Sequence, residues 1–114
     1  MTRRRPLFLR VLIGPAGDQW IAQALDYDIA TQAPSARDAR DSFLRLLQAR
    51  IQRDLKLGRE PLQDIPPAPE RFLAIWDRLE AADGLELEHT RRESNVPPAY
   101  VVHAITDNPS DLAM

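Results

Sequence analysis

Apolar residues recur every second position at the start of the chain and every third or fourth position further on. Leu7, Leu9, Val11 and Ile13 alternate with Phe8, Arg10 and Leu12, so one side of an extended run is wholly apolar and the other is mixed. The segment Gly14-Pro15-Ala16-Gly17-Asp18 follows with the residue types of a turn. Trp20 to Leu25 resumes the alternation, with Trp20, Ala22 and Ala24 on one side and Ile21, Gln23 and Leu25 on the other. These two runs predict an antiparallel hairpin. A third short strand is expected over Ile29–Ala33, after a bend at Asp26-Tyr27-Asp28.

The period then changes. Ser35 suits an N-cap, with Asp38 three residues on, near the positive end of the helix dipole. Ala39, Phe43, Leu47, Ile51 and Leu55 fall every four residues, with charged residues between them. That spacing predicts a long amphipathic helix turned toward the sheet, ended by Gly58 as a left-handed C′ residue. Residues 61–70 carry four prolines. They predict an extended, stiff connector, because proline blocks both helix and ladder. Phe72, Ile75, Trp76 and Leu79 mark a second amphipathic helix. Leu85 to Thr90 alternates weakly, Ala99 to Ile105 reads as a late strand, and the residues after it read as a frayed tail.

The fold class expected is α+β: a small antiparallel sheet with a long helix packed on it, and a second helix and late strand in the C-terminal half. The 114 residues are expected to form a single domain (1–114), with a β-β-β-α core over 6–60, a proline-rich connector over 61–69 and an extension over 70–114.

Composition narrows the function classes. Hydrophobic residues at 44% and charged residues at 28% are those of an ordinary globular protein. A net charge of −2 and a pI of about 5.6 argue against a surface built wholly for nucleic acid. The chain has no cysteine, which excludes disulfides and cysteine-based zinc sites. No run approaches a membrane span, and Arg10 interrupts the only leader-like stretch, which is read as a strand. A cytoplasmic location with no membrane partner is expected.

Candidate chemistry is sparse. Asp26 and Asp28 stand at i and i+2, which places both carboxylates on one side of an extended chain. Such a pair can bind a divalent metal or share a proton, but the oxygen-rich loop of a cation site is missing. Hydrated aspartates around a half-buried Tyr27, at a bend and at a partner interface, are expected instead. His89 and His103 have no metal-ligand or nucleophile–base spacing with each other or with Ser35 and Ser42. No phosphate-binding glycine motif is present. Arg3, Arg4 and Arg5 form a basic run able to touch phosphate. The expectation is therefore no catalytic residue, no metal and no cofactor. The tentative interaction residues are Asp26, Tyr27, Asp28, Arg3, Arg4 and Arg5.

The segment LRVLIGPAGDQWIAQALDYDIATQAPSARDARDSFLRLL resembles the HicB antitoxin family over roughly residues 7–67. Trp20-Ile21-Ala22 stands where that family has an aromatic-Val-Ala strand. Ala30-Thr31-Gln32-Ala33 stands at its V-T-Q-G strand, and Ala36-Arg37-Asp38-Ala39 at its helix start. The family's Leu-Pro-Gly-like bend is replaced by Asp26-Tyr27-Asp28. The resemblance implies a degraded RNase-H-like, or double-stranded-RNA-binding-domain-like, fold. It also implies a non-enzymatic antitoxin that binds and blocks a small basic ribonuclease toxin of the HicA-like type. Residues 61–114 show neither a helix-turn-helix nor a ribbon-helix-helix, so the family's DNA-binding tail is not read here. A homodimer is expected from the long helix and an exposed strand edge. The alternatives are a nucleic-acid-binding regulator, a solitary structural or oligomerisation domain, and a remnant nuclease using Asp18, Asp26 and Asp28.

Overall fold

A computed structural model describes residues 7–81, 85–89, 99–106 and 111–112. Five strands and two helices follow the order β1 (Leu7–Ala16), β2 (Gln19–Ala24), β3 (Ala30–Ala33), α1 (Ala36–Lys56), α2 (Arg71–Ala81), β4 (Leu85–His89) and β5 (Ala99–Ile105). The α+β class expected from the sequence is the class observed. The sheet order is β3-β2-β1-β5-β4.

The hairpin forms as the alternation predicts. Val11 pairs with Ala24 and Ala16 with Gln19, and Gly17 turns the corner at φ 65°. β3 pairs antiparallel to β2, with Trp20 opposite Ala33. The sheet is not purely antiparallel, however. β5 runs parallel to β1, with Leu9 opposite Val101 and Ile13 opposite Ile105, and β4 pairs antiparallel to β5. The chain reaches β5 only after both helices, so no turn signal announces that pairing.

Alternation in β1 divides the core into two layers. Leu9, Val11 and Ile13, with Ala22, Ala24 and Val101, face Ala39, Phe43, Leu47 and Ile51 of α1. Leu12, pointing the other way, packs with Ala104, Phe72, Trp76 and Leu112. The sheet therefore lies between two helices, α1 on one face and α2 on the other. Ser35 caps α1, its hydroxyl accepting from the Asp38 amide at 3.1 Å. Gly58, at φ 72°, ends the helix.

The connector departs from the extended form expected. Pro61 to Asp64 turn sharply, and Leu62 takes a φ of 65° while fully buried against the first core layer. A positive φ is costly for a branched residue. Two contacts hold it. The Leu62 side chain is buried, and its N–H donates to Asp54 Oδ2 at 2.9 Å. Asp54, only 1% exposed at the end of α1, also pairs with Arg50 at 3.4 Å. Its own backbone carbonyl accepts from Arg59 N–H at 2.8 Å. A buried carboxylate is tolerable because donors surround it.

The tail read as frayed is also docked where it is described. Thr106 and Leu112 are each 2% exposed. The Thr106 hydroxyl and Arg78 both donate to Asp111, which pins Leu112 over Gly14. Burial alone would raise the Asp111 pKa, but the Thr106 and Arg78 hydrogen bonds hold it below its usual value. A Cβ on Gly14 would sit 2.5 Å from Thr106 Cγ2 and 3.0 Å from Leu112 Cδ1. Glycine is what lets this segment approach the sheet.

Candidate functional site: the bend and the open edge of the sheet

The bend between β2 and β3 is built mainly from backbone and one ion pair. The Arg10 guanidinium meets Asp26 Oδ1 at 2.7 Å, and the Arg10 amide donates to Oδ2 at 2.9 Å. Burial would raise the Asp26 pKa. The hydrogen bonds and charge of Arg10 outweigh that and hold the carboxyl below its ordinary value. The hydrogen bond to Asp26 correspondingly raises the pKa of Arg10, with smaller help from the charges of Asp77 and Glu80. Asp26 is therefore a brace to β1, not the hydrated carboxylate expected. The partner lies 16 residues away, and Arg10 carries no motif that marks it.

Asp28 is exposed and accepts from the Gln23 amide at 3.0 Å. Its own N–H donates to the Pro66 carbonyl at 2.7 Å, and the Ala68 N–H donates to Leu25 at 3.0 Å. The proline-rich connector thus runs alongside the bend and is stitched to it. Tyr27 is half-buried against the first core layer, as expected. Asp26 and Asp28 have separate partners, and Asp18 sits in the β1–β2 turn at the far end of the hairpin. Six strand residues separate it from Arg10, roughly 20 Å. Among the described residues, no group of three His, Asp or Glu side chains is placed to hold a metal ion.

Ser35 is engaged in capping, and Ser42 accepts from Arg45 at 3.3 Å. His103 is buried in β5, in register with Val11. The His89 side chain lies outside the described residues, as do Arg3, Arg4 and Arg5. No described helix is long and apolar enough to cross a membrane.

A feature that the sequence did not single out lies on the α2 side of the sheet. α2 packs over β5 and the middle of β1. Over β2 and β3 the described residues leave a groove of about 330 Å³. Its floor is Ile21 and Gln23 of β2 with Ala30 and Gln32 of β3, the set that alternates away from α1. Phe72 and Leu112 close one side. The Gln23 amide is fixed by the Ala24 carbonyl at 2.9 Å and by Asp28. β3 ends the sheet on this side, so among the described residues no strand covers its outer edge. The groove combines β2 and β3 with Phe72 and Leu112, residues 40 or more positions further along the chain, which no local pattern connects.

The chain matches no protein-family model, no curated protein and no solved structure.

Proposed function

We propose that this chain is a non-catalytic protein–protein interaction module of the HicB-like, antitoxin type. In this reading it grips a small basic ribonuclease toxin in the cytoplasm or, as a solitary relative, another protein chain. The observation that supports it most is the edge of β3, uncovered among the described residues, beside a groove at the end of a β-β-β-α core. An unpaired strand edge offers a row of backbone donors and acceptors to a partner. The carboxylates a nuclease would need are instead separate, with Asp26 tied to Arg10 and Asp28 to Gln23. A net charge of −2 gives a basic partner a modest attraction.

Affinity capture from lysate with the tagged full chain, followed by light scattering on the eluate, tests this reading. The expected result is a stoichiometric small basic protein whose RNA cleavage the chain suppresses. A chain that elutes with no protein partner, or that cleaves RNA itself, contradicts it.

A further inference from the structure

We propose that the outer edge of β3 is a strand-addition site for an extended segment of another protein with large apolar side chains at alternate positions. This deepens the interaction-module reading and rests on it. Ala24 N–H donates to the Ile29 carbonyl at 2.9 Å, and Ala22 and Trp20 stand opposite Thr31 and Ala33. Bonded pairs alternate along an antiparallel ladder. Residues 31 and 33 therefore turn their polar backbone toward β2, as does the carbonyl of Ile29, whose N–H donates to Tyr27 instead. The N–H and C=O groups of Ala30 and Gln32 point outward, toward where a sixth strand would lie.

The side chains say which strand fits. Ala30 and Gln32 line the groove, so an added strand would carry every second side chain on the same face beside them, next to a groove whose lining also includes Ile21, Phe72 and Leu112. Among the described residues that line the groove none is charged, so apolar side chains suit it better than charged ones. A second copy of β3 fits poorly, since it would bring only Ala and Gln to a groove whose lining includes the large apolar residues Ile21, Phe72 and Leu112. A segment with branched or aromatic residues at alternate positions fills it. Ala30–Ala33 carries no charged residue of the type that discourages edge pairing.

Selection of a displayed random hexapeptide library on the full chain tests the proposal. Enriched peptides are expected to carry apolar residues at alternate positions. The best of them should lose tenfold or more in affinity for Ala30→Arg and for Gln32→Pro. Both positions are exposed, and Gln32→Pro removes an N–H that β2 does not use, so circular dichroism should show both variants folded. Absence of enrichment, or peptides that bind both variants as well as the parent, overturns the proposal. So does a homodimer that dissociates on Gln32→Pro, because a second copy would then hold the edge. A ribonuclease partner bound equally by both variants leaves the antitoxin reading standing and removes this site. Peptides captured at β3 with no ribonuclease partner in lysate do the reverse.

Discussion

On one face of the sheet, α1 lays Ala39, Phe43, Leu47 and Ile51 across β3, β2 and β1. On the other face, α2 and Leu112 cover β5 and the middle of β1 and leave a groove over β2 and β3. The sheet itself is the same; only the covering elements differ. α1 is 21 residues long, spans the strands and is capped at its start, whereas α2 has 11 residues and follows a connector tied to the bend. The comparison separates two jobs. The face under α1 carries the larger buried cluster, and the face under α2 leaves surface over β2 and β3 that the proposed partner would use. A substitution should therefore cost stability on the first face and binding on the second.

The largest effect is expected in the α1 layer. Phe43→Ala empties a site that is 1% exposed and should cost about 3–5 kcal/mol in denaturant unfolding. A cost under about 1 kcal/mol would mean that the α1 layer does not dominate the stability. Gly14→Ala comes next. The new methyl meets Thr106 at 2.5 Å and Leu112 at 3.0 Å, so the docked segment must shift, at about 1–3 kcal/mol. An unchanged melting curve would show that this segment contributes nothing to the second layer.

Asp26→Ala should cost about 1–2 kcal/mol, because Arg10 loses a charged hydrogen-bond partner at a site still partly open to water. Its pH dependence carries a definite sign. The folded-state pKa of Asp26 lies below the ordinary 3.8, so the carboxylate's contribution is complete above that value. The contribution is lost as pH falls through the lowered folded value. Stability curves of the parent chain and Asp26→Asn should therefore differ by a constant near neutrality and converge in acid. Curves that stay parallel through acid would remove the ion pair from the account. The smallest stability effect is expected at Ala30→Arg, within about 0.5 kcal/mol, since position 30 is exposed. The loss expected of that variant is in binding.

What could be read in the chain was what depends on near neighbours. The four-residue spacing of Ala39, Phe43, Leu47, Ile51 and Leu55 marks the stripe of α1; the first four are buried, whereas Leu55 is half-buried and Asp54 is buried beside it. Ser35 and Gly58 mark its ends through local capping chemistry. The hairpin follows from alternation and a glycine turn. What could not be read depends on distant pairs. The parallel β1–β5 pairing, the Arg10–Asp26 brace and the Asp54–Leu62 clamp join residues that no short window contains. Leu112, in a polar tail, gives no sign that a glycine on β1 leaves room for it. The candidate groove was illegible for the same reason. Its residues come from β2, β3, α2 and the C-terminal turn, and their alternation showed only which of them share a face.

Native-state amide hydrogen exchange along β3, in the free full-length chain, tests the open edge most directly. Thr31 and Ala33 should be protected by their bonds to β2, while Ala30 and Gln32 between them should exchange as fast as loop amides. Equal protection at all four positions would mean that the edge is already covered, and would contradict the half-open sheet on which the proposed partner site rests.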